Sequence, residues 1–121
     1  MNVEWVRKYC LSLPHATENV QWGDDLVFKI GGKMFAIAVM VPHPIAMCFK
    51  CTPEEFAEVI EIPGVIPAPY MARAYWVALE SEDALPRAEI KRRISRSYDL
   101  VKAKLPKKTQ AALTGVKKKA V

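Results

Sequence analysis

Cysteine, glycine and long apolar runs are all scarce in this chain. The three cysteines, Cys10, Cys48 and Cys51, form an odd count at no framework spacing. That excludes a disulfide scaffold and fits a reducing compartment. No stretch of about 18 apolar residues occurs, so no membrane span is expected. Met1 to Lys8 contains no apolar segment of the kind a secretory leader needs, and the expected location is the cytoplasm. There is no phosphate-binding P-loop, no Gly-x-Gly-x-x-Gly and no Gly-x-Ser-x-Gly, which removes the commonest nucleotide and hydrolase signatures. The most informative absence is local. From Val101 to Val121 there is no acidic residue, but there are seven lysines, whereas residues 1–100 carry 11 basic and 13 acidic groups. The net charge of +5 therefore comes from the last segment.

What is present describes one domain. A chain of 121 residues with 51% hydrophobic content can bury a single core. Val6, Tyr9, Cys10 and Leu13 recur at helical spacing after the capping residue Asn2, and Pro14 closes that helix. Residues 15–25 read as a loop, with a short extended stretch near Asn19 to Trp22. Leu26 to Ile30 and Lys33 to Val41 are strand runs joined by Gly31-Gly32, a two-residue hairpin turn. Strict alternation along the second run puts Phe35, Ile37 and Val39 on one face and Met34, Ala36, Ala38 and Met40 on the other. Pro42-His43-Pro44 interrupts, and Ile45 to Lys50 forms a third strand. Thr52-Pro53-Glu54-Glu55 announces a helix through a capping box. Pro63 to Pro69 reads as an irregular loop outside any ladder. Ala74 to Glu80 is a fourth strand, and a long helix follows from Pro86 to Leu105. Its inner side carries Ile90, Ile94, Ser97, Val101 and Leu105, with Tyr98 at the border. Beyond Pro106, one more turn is expected, broken at Gly115. The order is α-β-β-β-α-β-α: an α+β fold with an antiparallel sheet packed against helices on one face. Residues 1–106 read as the domain and 107–121 as a lysine-rich extension.

These residues, taken in order, resemble a known family. The resemblance lies in Trp22, the hairpin Phe28 to Ala36, Phe49-Lys50 and Thr52 to Phe56. It continues through Pro67 to Met71, Tyr75-Trp76-Val77, Ser97 to Val101 and Lys104 to Lys108. It is to the MmcQ/YjbR-like family of small bacterial proteins and covers nearly the whole chain. It implies a frataxin-like (CyaY-like) sandwich and DNA binding through a double wing of hairpins. The positions it points to are Lys29, Lys33, Lys50, Trp76, Ser97 and Tyr98. Arg73-Ala74 stands where the pattern has a basic residue followed by a small polar residue or histidine; the cation is present and the histidine is not.

The leading function is therefore non-enzymatic, salt-sensitive DNA binding. Lys29, Lys33, Lys50, Arg73, Arg92, Arg96, Lys107 and Lys108 would meet phosphates, because lysine and arginine neutralise the backbone without reading its sequence. Against this stands an ordinary solvated surface. Trp76 reads as a core anchor facing the helices, with base stacking as the alternative; Tyr98 reads as half-buried. Ser97 is expected to bond to the carbonyl one turn earlier in its own helix. The competing function is a protein- or small-ligand-interaction module using the sheet and the Pro67 to Tyr70 loop. Cys48-x-x-Cys51 is a lone pair with only His43 upstream, so neither a metal nor a cofactor is expected, and no acidic ridge for iron is present. The chain is expected to be a monomer.

Overall fold

The structure, a computed structural model, describes residues 3–41, 45–69 and 71–119, with side chains through residue 113 from residue 4 onward. Asn2, Pro42, His43, Pro44 and Tyr70 lie outside the described residues. The order is α1 (Val3–Ser12), β1 (Thr17–Gln21), β2 (Asp25–Ile30), β3 (Lys33–Val39), β4 (Met47–Lys50), α2 (Pro53–Val59), β5 (Val65–Pro67), β6 (Trp76–Leu79), α3 (Arg87–Ala103) and α4 (Lys107–Lys119). A 3-10 turn at Ala72–Ala74 precedes β6. The six strands form one antiparallel sheet in the order β1-β2-β3-β4-β6-β5.

The sheet gains two strands over the sequence expectation. β1 adds to the start of the meander, pairing Thr17–Gln21 with β2. β5 pairs with β6 through Val65, Ile66 and Pro67, so the proline-rich segment does join the ladder. Pro67 lies on the outer strand of the sheet, where a missing N–H removes no bond.

Gly31 and Gly32 have φ of 58° and 82°, the two positive values that a type I′ hairpin turn requires. Just beyond this turn the pairing slips. Lys29 faces Met34, but Phe28 faces Ala36, leaving Phe35 as an extra residue in β3. This bulge resets the alternation. Phe35, Ala36 and Ala38 all join the helix-side core, while Met34 and Ile37 belong to the opposite face. Strict alternation along this strand is thereby corrected.

The helix-side core gathers Phe28, Phe35 and Phe49 from the sheet, Val6 and Cys10 from α1, and Ile90, Ile94, Tyr98 and Val101 from α3, all buried. Phe35 meets Tyr98 edge to face at 5.3 Å between ring centres. Burial of this apolar area is the main stabilising term, at roughly 25 cal/mol per Å². A second, smaller cluster lies on the other face. There Val27, Ile37, Cys48, Trp76 and Ala78 pack under Ala68 and Met71, which the loop after β5 supplies. Trp76 is therefore buried against this loop and not against the helices.

α2 begins with the expected capping box: the Glu55 amide donates to the Thr52 hydroxyl at 3.1 Å, and the Thr52 amide donates to the Glu55 carboxylate at 3.0 Å. α4 runs through Gly115 without a break. Its first half is docked: Leu113 packs on the core, and the Gln110 side-chain amide donates to the Leu105 carbonyl at 2.7 Å.

Candidate phosphate-binding surface

At its end the β3–β4 ladder leaves two polar backbone groups unpaired. The ladder ends at Ala36 and Phe49. One residue further, the Ser97 hydroxyl donates to the Phe35 carbonyl at 2.6 Å and accepts from the Lys50 amide at 2.9 Å. Ser97 is fully buried. It bonds across to the sheet instead of back into its own helix, because the Phe35 carbonyl of the bulged strand and the Lys50 amide of β4 would otherwise be orphaned. This fixes the end of β4 against α3 and with it the backbone of Lys50.

Lys50 turns its side chain along the sheet end, where its ammonium donates to the Ala74 carbonyl at 2.6 Å. Lys33, at the base of the hairpin turn, and Lys104, at the end of α3, line the same depression, of about 300 Å3. Its walls are apolar: Met34, Trp76, Val101 and Leu105. Burial lowers the pKa of Lys50, and the neighbouring Lys104 charge lowers it further. Among the described residues none of these three lysines lies within ion-pair distance of a carboxylate.

The hairpin cannot drift from this position freely. A Cβ on Gly31 would stand 2.7 Å from a Leu105 methyl and 3.2 Å from the Thr109 methyl, so the turn rests on the junction of α3 and α4. Lys107 and Lys108 are exposed just beyond that junction. Lys29 is half-buried and pairs across to Met34 and Thr17. Arg73 is exposed on the 3-10 turn, one residue before the carbonyl that holds Lys50.

The arginines of α3 are placed differently. Arg96 donates to Glu55 at 3.1 Å, and Arg92 lies 3.7 Å from Glu89, which also meets Arg93 at 3.2 Å. These cations are already opposed by carboxylates. They also stand eight to twelve residues before Lys104, or roughly 12–18 Å along the helix axis. The structure thus lines one depression with Lys33, Lys50 and Lys104 and a different one with Glu55, Arg92, Arg93 and Arg96.

Lys104 and Met34 were not singled out from sequence as parts of one site. Lys104 lies seven residues after Ser97, on the same face of α3 two helical turns on. That spacing is the signal, but it becomes readable only once Ser97 is known to bond to Lys50.

The other candidate groups are engaged or shielded. The Tyr98 hydroxyl donates to the Pro14 carbonyl at 2.6 Å. Trp76 is 5% exposed, so its ring faces are not available for stacking. All three cysteines are buried thiols; burial pushes Cys10 and Cys48 up to about 12 and Cys51 to about 11, which suppresses the nucleophilic thiolate. Among the described residues, no three His, Cys, Asp or Glu side chains are grouped to hold a metal ion. Nor is any described helix long and apolar enough to cross a membrane.

Three large apolar side chains are exposed elsewhere. Trp22 (67% exposed), Val41 (65%) and Val20 (56%) lie toward the end of β2 and β3 remote from the hairpin turn.

The sequence profile of the YjbR family matches residues 11–100. A Deinococcus radiodurans protein with a DUF419 domain superposes with a TM-score of 0.82 at 26% identity, over 93% of this chain and 87% of that one. A Pseudomonas syringae protein of known structure superposes with a TM-score of 0.70 at 22% identity, over 84% of this chain and 99% of its own. No curated protein matches the sequence.

Proposed function

Since this chain belongs to the YjbR family, we propose that it is a DNA-binding protein, without catalytic activity, that grips the phosphate backbone where the β2–β3 hairpin, the end of β4 and the end of α3 meet. The observation that supports this reading is the grouping of Lys33, Lys50 and Lys104 around one depression with no carboxylate opposing them. Cations from three separate elements are held in a fixed relation by the Ser97 bridge and the seat of Gly31 on Leu105. Lys107 and Lys108 extend the positive surface, and Arg73 borders it. Phosphate contacts of this kind confer affinity and orientation but little sequence preference. Arg92 and Arg96 contribute less, because binding phosphate there means giving up Glu89 and Glu55.

The test is a salt series with single-stranded and duplex DNA. Full-length protein should bind at about 50 mM salt, with log affinity falling linearly against log salt. Lys33→Ala and Lys104→Ala should each lower the slope by about one, and Arg92→Ala should leave it nearly unchanged. Substitutions are preferable to truncation at residue 106, which would remove Thr109 and Leu113 from their packing. Absence of binding at about 50 mM salt, where phosphate contacts are strongest, sinks the proposal.

A second reading is favoured by the exposed Trp22, Val41 and Val20. Large apolar side chains exposed at one end of a sheet suit a protein interaction surface, with tryptophan a frequent anchor. On this reading the chain is an interaction module, and Trp22→Ala abolishes partner capture while the salt series stays flat.

A further inference from the structure

We infer that the depression among Lys33, Lys50 and Lys104 is a subsite for a terminal phosphate monoester, the phosphorylated end of a nucleic-acid strand; this rests on the phosphate-binding reading above and narrows it. Three features of the site separate an end from the interior of a strand.

The first is charge. Three lysines line one depression. An internal phosphodiester carries one negative charge, whereas a terminal monoester carries nearly two at neutral pH and offers three strong acceptor oxygens. The second charge and third oxygen give each of the three lysines a partner.

Shape points the same way. The depression, of about 300 Å3, lies between the hairpin base and the end of α3, with Met34, Trp76, Val101 and Leu105 as its walls. That is the lower limit of a small-ligand site, with room for about one nucleotide. A continuous strand would have to pass over it, since a polar backbone entering and leaving against those walls would lose hydration without new partners. An end enters once.

The third feature is the constraint on Lys50. Its ammonium is held by the Ala74 carbonyl at 2.6 Å, and its backbone is fixed by Ser97. It cannot swing into solvent to reach a passing phosphate without breaking the first of these bonds. It instead waits at the depression beside Lys104, where like-charge repulsion is relieved most by the ligand of highest negative charge. Nucleotides next to the end would then run out across the exposed Lys107 and Lys108.

The experiment compares single strands of one sequence carrying a 5′-phosphate, a 3′-phosphate or hydroxyls at both ends, each with an internal dye, by fluorescence anisotropy on the full chain at about 50 mM salt. A strand phosphorylated at either end should bind about fivefold tighter than the hydroxyl strand, the effect of one added charge-assisted contact set. Lys50→Gln should erase that preference, so that the variant binds all three strands with one affinity, whatever backbone affinity it keeps. Lys104→Gln, at an exposed position, should do the same and guards against a folding defect in the first variant. Equal binding of all three strands overturns the end assignment and leaves the backbone reading standing. No binding of any strand overturns both. Displacement of the phosphorylated strand by inorganic phosphate or a nucleoside monophosphate, at concentrations near that strand's own Kd, overturns the assignment to a strand end.

Discussion

The Ser97 hydroxyl donates to the Phe35 carbonyl across the space between α3 and the bulged strand β3, and the same oxygen accepts the Lys50 amide. One side chain thereby replaces a rung of the β3–β4 ladder. It also joins the interior of the fold to the lysine surface.

Removing that hydroxyl should be expensive. Ser97→Ala leaves a buried carbonyl and a part-buried amide without partners, which costs about 2 kcal/mol. For a domain of this size the melting temperature should fall by roughly 8 °C. Hydrogen exchange at the Lys50 amide should accelerate more than at Met47, whose strand neighbour is intact. A variant that melts within about 0.5 kcal/mol of the parent would show that water or a shifted strand takes over the bond.

The two glycines of the hairpin turn should differ sharply. Both have positive φ, so either alanine substitution carries backbone strain of about 1 kcal/mol. Gly32 has open space around it, and Gly32→Ala should lose little more than that. At Gly31 the new methyl would meet the Leu105 side chain at 2.7 Å. Gly31→Ala should therefore cost about 2–3 kcal/mol in total, and it should also loosen the hairpin from the α3–α4 junction. Denaturant melts of the two variants give the comparison; equal losses would mean that Leu105 yields freely.

Much of this architecture was readable in the chain because local chemistry and tertiary structure agree. Gly31-Gly32 specifies its turn without help, and Thr52 with Glu55 specifies the start of α2. The inner stripe of α3, from Ile90 to Leu105, follows from a 3.6-residue period. Other features depend on partners distant in sequence. Phe35 looks like any alternating strand residue until its neighbours show one residue too many. Val65 to Pro67 looks like a loop because proline is a poor strand residue, yet one unpaired edge suffices for it. Gly115 is a weak helix residue by propensity, but α4 runs through it after docking its first half. The candidate site was half legible. Lys33 and Lys50 carry charge next to recognisable turns and strand ends. Their convergence with Lys104 follows from the packing of α3 on the sheet, which no local pattern encodes.

Acid should weaken the α2–α3 contact. Burial pushes the Glu55 carboxyl up, but the Thr52 amide, the Arg96 guanidinium and the Thr52 hydroxyl together outweigh it and hold the group below the usual glutamate value. A carboxyl whose folded value is depressed adds stability above its unfolded value and loses it as pH falls through the folded one. Stability should thus decline on acidification below about pH 4.5, as the anion that serves both the α2 cap and Arg96 is neutralised. Glu55→Gln keeps a side-chain acceptor for the Thr52 amide but loses the charge. At neutral pH it should be less stable than the parent by under about 1 kcal/mol, since the Arg96 pair is partly exposed. The two proteins should converge in stability at low pH. Parallel pH profiles, with the gap unchanged down to pH values well below the glutamate range, would assign the acid dependence to other groups.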